Sequence, residues 1–127
     1  MAKVLVIDDD PFIVRLIRAK IEQLGHEVIT AADGEDGITA AIEADPDLVL
    51  LDLMMPRING LEVCHALREK ETVRHIPIVM LTGKGQEQDI EQGFAAGATE
   101  YLVKPFSPRE LQARVRALIG QTAQVAG

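Results

Sequence analysis

Three stretches of the chain are wholly apolar: Val4-Leu5-Val6-Ile7, Leu48-Val49-Leu50-Leu51 and Ile78-Val79-Met80-Leu81. Uninterrupted runs this short, closed by turn residues, read as strands buried on both faces of a parallel sheet, because a half-exposed strand would alternate apolar and polar positions. Glu27-Val28-Ile29-Thr30-Ala31 is a more mixed strand, as expected at a sheet edge, and Thr99-Glu100-Tyr101-Leu102-Val103 is the last of five.

Between the strands the apolar period lengthens to that of a helix. Asp10 is placed to cap the first helix, with Pro11 at its first position. Phe12, Ile13, Leu16, Ile17, Ile21 and Leu24 then recur at helical spacing up to Gly25. Asp33 and Gly34 open a second helix that turns Ile38, Ala41 and Ile42 to one side and stops at Asp45-Pro46. A third, from Asn59 or Gly60, is expected to carry Leu61, Cys64 and Leu67 inward and Glu62, Arg68, Glu69 and Lys70 outward. The fourth, about Gln86 to Ala96, offers only Ile90 and Phe94 among acids and small residues, so it should be loosely held and is a candidate moving part. Ser107-Pro108-Arg109-Glu110 is a capping box that starts a fifth helix burying Leu111, Val115, Leu118 and Ile119. That helix is expected to end at Gly120, giving one domain over residues 1–120 and a short tail over 121–127.

Strand–helix alternation with the three apolar strands central predicts an α/β fold of the flavodoxin-like doubly wound kind: a five-stranded parallel sheet of order 2-1-3-4-5 with five helices on its two faces. The switch point then lies between the first and third strands. Ligands bind such sheets at the carboxyl ends of the strands. Asp8, Asp9 and Asp52 should converge there, with Thr82 and Lys104 arriving from neighbouring strand ends.

Composition narrows the function. At 127 residues there is room for one ordinary domain, and with 47% apolar but only 3% aromatic residues its core must be aliphatic. Thirteen basic against twenty acidic residues, a net charge of −7, work against direct binding of nucleic acid or an anionic membrane. The single cysteine, Cys64, excludes an internal disulfide, and the apolar run after Met1-Ala2-Lys3 is too short for a signal peptide or membrane span. A cytoplasmic location is expected. His26, His65 and His75 have no partners at metal-ligand spacing and read as surface histidines.

An acid at a strand end is usually a helix cap, and Asp10 fits that role. Three further acids in one crevice do not. Two carboxylates ~4 Å apart repel by roughly 4 kcal/mol at an effective dielectric near 20, so a cation is called for. A hard divalent ion that accepts a few carboxylates and keeps several waters, Mg²⁺, suits an all-oxygen set. Lys104 would add a positive point charge and Thr82 a hydroxyl donor for a phosphate, and Asp52 would be the nucleophile of a phosphoryl transfer.

In combination and order, Asp8-Asp9, Leu51-Asp52-Leu53-Met54-Met55-Pro56 with Gly60, Leu81-Thr82-Gly83, and Tyr101-Leu102-Val103-Lys104-Pro105-Phe106 resemble the receiver domain of two-component response regulators, from residue 3 to about 120. The resemblance implies that Asp52 takes a phosphoryl group from a sensor histidine kinase or a histidine phosphotransfer protein. It implies Mg²⁺ held directly by Asp9, Asp52 and the backbone carbonyl of Met54, with Asp8 acting through water, and a cis Lys104–Pro105 peptide. It further implies a switch in which phosphorylation draws the Thr82 hydroxyl inward, Tyr101 rotates into the vacated space, and the face formed by the fourth helix, fifth strand and fifth helix signals to a downstream protein. A monomer or a weak phosphorylation-dependent dimer is expected. Glu100 and Arg114 could supply a charge pair of that dimer face, although Ile90 stands where a basic residue would be expected opposite Glu110. Met54 and Lys84 flank the site where the lifetime of the phosphorylated state would be set. A free-standing regulator is favoured over the front of a longer protein, and a switch that catalyses only its own modification over an enzyme.

Rival readings fare less well. A haloacid dehalogenase-type phosphatase needs a second acid two residues after its nucleophile, where this chain has Met54. A flavodoxin would need a hydroxyl- and glycine-rich first loop in place of Asp8-Asp9-Asp10. A receiver-like interaction module that works without phosphorylation is the remaining alternative, and the presence of every expected site residue argues against it.

Overall fold

The computed structural model describes residues 1–83 and 87–126, apart from the side chains of 87–89 and 120–126. Lys84 and the proposed helix start at Gln86 lie outside the described residues. The elements are β1 (Lys3–Ile7), α1 (Pro11–Glu22), β2 (Glu27–Ala31), α2 (Gly34–Ala44), β3 (Leu48–Asp52), α3 (Gly60–Glu69), β4 (Ile78–Thr82), α4 (Glu87–Ala96), β5 (Glu100–Val103) and α5 (Pro108–Ala126). All strand pairs are parallel, in the order β2-β1-β3-β4-β5. The expected doubly wound sheet is therefore present, with β1 and β3 adjacent at its switch point.

Side-chain alternation along the central strands splits the core into two layers. Leu5, Ile7, Val49, Leu51, Ile78 and Met80 meet Val63, Cys64 and Leu67 of α3 on one face. Val4, Val6, Leu48, Leu50, Val79 and Leu81 meet Ile17 and Ile21 of α1 and Leu111, Val115 and Leu118 of α5 on the other.

The caps explain why the helices begin where they do. Asp10 accepts from the Phe12 N–H at 2.9 Å, Asp33 from Asp36 at 2.8 Å, and Asn59 forms a full capping box with Glu62. The Ser107 hydroxyl accepts from the Glu110 N–H at 3.0 Å. Beyond the end of α1, Gly25 takes a φ of +88°, a left-handed turn open to glycine at no steric cost.

Four side chains or boundaries depart from the sequence pattern. Phe12 is 72% exposed, because it lies roughly 140° around α1 from Ile17, off the buried stripe. Ile42 is 45% exposed: the inward face of α2 is made of Gly34, Gly37 and Ala41, so closely laid on the sheet that a Cβ at Gly37 would fall 2.6 Å from Ile7. Helix α5 continues through Gly120 to Ala126. An interior glycine weakens a helix without stopping it unless the chain must turn there.

The fourth departure is Arg68, expected on the wet face of α3. Its guanidinium instead donates from Nε to the Gly97 carbonyl at 2.8 Å and from Nη1 to the carbonyls of Arg74 (2.7 Å) and Ile76 (2.6 Å). Its Nη2 reaches the Thr99 hydroxyl at 3.3 Å. Thr99 Oγ1 in turn accepts from the Ile78 N–H at 3.0 Å. One side chain thus ties the end of α3 and the loop before β4 to the loop between α4 and β5. Burial pulls the Arg68 pKa below its ordinary value, and the neighbouring Cys64 acts weakly the other way. Replacing Arg68 by Met keeps the stem but strands these acceptors, and should lower the unfolding free energy in urea by about 2 kcal/mol. Arg68→Lys should recover less than half of that, since one ammonium cannot reproduce the planar fork.

Candidate functional site

Register assembles the site. Ile7 pairs with Leu51, so the next residues, Asp8 and Asp52, stand side by side at the carboxyl ends of β1 and β3. The Asp8 N–H donates to the Ala31 carbonyl at 3.1 Å, extending the β1–β2 ladder one step past the strand, and Asp8 Oδ1 accepts from the Asp10 N–H at 2.9 Å. Asp8 and Asp52 are buried while Asp9 is exposed. Each offers a carboxylate oxygen within 4.8 Å of the other two.

Lys104 comes to the same point from β5. Its N–H donates to the Thr82 carbonyl at 2.6 Å, continuing the β4–β5 ladder, and the Lys104–Pro105 peptide is cis. Its Nζ lies 3.0 Å from Asp8 Oδ2 and 3.4 Å from Asp52 Oδ1. Thr82 ends β4 and is buried.

The loop after Asp52 is held just as closely. The Leu53 N–H donates to the Leu81 carbonyl at 2.8 Å, the Gly60 N–H to the Leu53 carbonyl at 2.9 Å, and the Met54 N–H to Asp52 Oδ1 at 3.3 Å. A Cβ at Gly60 would collide with the Asp52 carbonyl oxygen and lie 2.7 Å from the Leu53 Cα, so glycine is what lets α3 begin against the backbone of the site. Arg57, at a φ of +68°, bonds Asp33 at 3.0 Å across the mouth of the loop. The Met54 side chain is exposed. A cavity of about 290 Å³ opens beside Asp9 between α1 and the end of β2, bordered by Arg15, Arg18 and Thr30.

The electrostatics follow from this packing. Burial, and then the charge of Asp8, push the Asp52 pKa up to about 6, although Lys104 and the Met54 N–H pull it down. Burial alone would depress Lys104. The hydrogen bond that it donates to Asp8 and the charges of Asp52 and Asp8 outweigh it and hold Lys104 above its ordinary value. Three carboxylates against one ammonium leave an excess of negative charge, and the ligand set is all oxygen. Such a set fits a hard divalent cation such as Mg²⁺ and no soft metal.

Tyr101 is apart from this cluster. It pairs with Met80 in the sheet, its ring lies 5.4 Å from that of Phe94 at 50°, and its hydroxyl end rests against Gly93 of α4. Glu100 and Arg114, considered above for a contact between chains, pair within this one at 2.9 Å. His65 and His75 are exposed, and the partly buried His26 accepts at Nδ1 from the Ala2 N–H at 3.1 Å. The Asn59 capping box was legible in the same pattern that marked Ser107. The clamp at Arg68 carried no such signal, because three of its four acceptors are backbone carbonyls, in the loop after α3 and in the one between α4 and β5.

Comparison with known proteins agrees with this geometry. The sequence model of the family described as "Response regulator receiver domain" matches residues 4–116. The chain is 46% identical over 125 residues to the DNA-binding dual master transcriptional regulator RpaA of Synechocystis, covering 98% of this chain and 52% of that protein. It thus spans about half the length of the curated relatives it matches. Among solved structures, the chemotaxis protein CheY4 of Vibrio cholerae superposes with a TM-score of 0.89 at 36% identity, covering 93% of this chain and 98% of that one. The receiver domain of the sensor histidine kinase PA1611 from Pseudomonas aeruginosa, with a magnesium ion coordinated in its active-site cleft, superposes with a TM-score of 0.87 at 32% identity over 94% of this chain and 98% of that one. With the acids, the lysine and the sheet edge all in register, these matches show that the chain belongs to the response regulator receiver family, the switch domains of two-component signalling.

Proposed function

We propose that Asp52 is the phosphoacceptor and that this chain is the phosphorylated switch of a two-component relay. The observation that carries the reading is the Lys104 ammonium lying between Asp8 and Asp52 in a crevice that remains acidic after it is counted. An ammonium so placed meets phosphoryl oxygens as well as carboxylates.

In the transfer, an Asp52 oxygen attacks phosphorus and the bond to a donor histidine nitrogen breaks; the imidazole, protonated on its other ring nitrogen, takes the electron pair and leaves neutral. Asp52 presents its carboxylate from a fixed backbone, held by the Leu53–Leu81 and Gly60–Leu53 hydrogen bonds. Lys104 neutralises one equatorial oxygen and the Thr82 hydroxyl donates to another. Asp9, Asp52 and the Met54 carbonyl, with Asp8 through water, would hold Mg²⁺, which would supply the positive charge that offsets the remaining phosphoryl oxygens. Tyr101 then follows Thr82, and the face of α4, β5 and α5 changes.

A sensor histidine kinase or a histidine phosphotransfer protein is the donor in this reading, and a downstream protein is the receiver of the signal. The net charge of −7 disfavours direct binding of nucleic acid or an anionic membrane. The reading puts the chain in the cytoplasm, as a monomer or weak phosphorylation-dependent dimer. Residues 1–120 are taken as the receiver and 121–127 as a tail, supported by core packing along α5 that reaches Leu118 and Ile119.

Incubation with Mg²⁺ and acetyl phosphate should add one phosphoryl group by intact mass, and Asp52→Asn or EDTA should abolish it. A wild-type chain that takes no adduct, and binds no beryllofluoride with Mg²⁺, would instead be a constitutive interaction module. The raised pKa gives a second expectation. Between the ordinary carboxylate value of 3.8 and about 6 the folded state holds a proton the unfolded state has lost, so stability falls as pH rises across that window. In EDTA at pH 7, Asp52→Asn should therefore exceed wild type by about 2 kcal/mol in urea unfolding. The gap should close as pH falls from 6 to 4, and narrow when Mg²⁺ is added, because Mg²⁺ stabilises only the chain that binds it well.

A further inference from the structure

We propose that Gly93 is a seat for the phenol of Tyr101, and that the Arg68 clamp makes the seat rigid, so that the position of Tyr101 before phosphorylation is set by the absence of a side chain at residue 93. The proposal deepens the reading of Tyr101 as part of the switch and rests on that reading for its consequence, though not for its geometry.

Gly93 is buried in the interior of α4, where alanine would be the better helix former. A glycine at such a position is explained by what occupies the space of its missing side chain. Here a Cβ would overlap the Tyr101 hydroxyl and fall 2.5 Å from the ring carbons Cε2 and Cζ. The next residue, Phe94, closes one side of the seat with its ring.

A methyl group at 93 could be accommodated in two ways, by withdrawal of the helix or by rotation of the ring. The helix is tied down. The Gly93 carbonyl accepts from the Ala98 N–H at 2.9 Å, and the Gly97 carbonyl is held by Arg68 Nε at 2.8 Å. The stem of Arg68 lies so close that a Cβ at Gly97 would be 2.6 Å from its Cγ. Thr99, one residue before β5, bonds both Arg68 and the first residue of β4. The C-terminal end of α4 is therefore fixed to the strand pair that carries Tyr101. The ring, joined to its strand by rotatable bonds, is the part that yields.

The chain has one tyrosine and no tryptophan, so its intrinsic fluorescence reports Tyr101 alone. In the full chain without phosphodonor, Gly93→Ala should move Tyr101 from mostly seated to mostly displaced and roughly double its acrylamide quenching constant. The variant should remain folded by circular dichroism, because the better helix former offsets part of the packing lost with the ring. Adding Arg68→Met to Gly93→Ala lets the helix withdraw, and should return the quenching toward wild type. Beryllofluoride with Mg²⁺ should change the quenching in wild type and change it less than half as much in Gly93→Ala. Unchanged quenching in the unliganded Gly93→Ala chain would overturn the seat. If wild type binds no beryllofluoride, the phosphorylation reading fails, while the seat still stands or falls on the unliganded comparison.

Discussion

The structure depends on an electrostatic conflict placed at the carboxyl edge of a parallel sheet. Asp8 and Asp52 end adjacent strands, Asp9 follows at once, and a single lysine stands between them. Folding forces the conflict, because the register that buries Ile7 against Leu51 also sets the acids that follow them side by side. The surrounding backbone has little freedom to relieve it. Ladder bonds run past the strand ends at Asp8, Leu53 and Lys104, and α3 begins against the Asp52 carbonyl through Gly60. The stability lost in holding carboxylates together is what makes the site receptive to a cation and then to a phosphoryl group.

Most of this is legible in the sequence. Three wholly apolar runs can only be central strands of a covered parallel sheet, and once the order is 2-1-3-4-5 the residues after each run must meet at one edge. Asp8, Asp9, Asp52, Thr82 and Lys104 are readable for that reason: each is the residue at or next to a strand end. What was not legible lies where small or long side chains act at close quarters. On α2, Ile38 and Ala41 were legible, but Gly34 and Gly37 leave no hydrophobic signal, and Ile42, grouped with the inward residues, is half-exposed. Phe12 looked like a core residue because one apolar side chain on a helix start fits several stripes.

Arg68 shows the limit most plainly. A charged residue on an amphipathic helix is ordinarily solvated, and nothing in its spacing distinguishes one that turns back to cap two loops. Three of its four acceptors are carbonyls, which every residue carries, so no partner type could be sought. Among the described residues no carboxylate pairs with it, and neutral acceptors satisfy its fork. That arrangement holds the α4–β5 loop without adding a charge that would compete with the acidic site.

The contrast between α4 and its anchor bears on how such a domain switches. Among the described side chains of α4, Gly93 is the only buried position, so the helix has few apolar contacts to hold it along its length. Its C-terminal end, by contrast, is bound to α3 and to the start of β5 by one guanidinium. A helix with few apolar contacts along its body is held chiefly from its anchored end. Its other end leads back in the chain toward Thr82 at the end of β4. Tyr101 sits between those two ends, against the one residue of α4 that makes room for it. A small displacement at Thr82 can therefore be converted into a change of aromatic packing on the α4–β5 surface without disturbing the sheet that carries the acids.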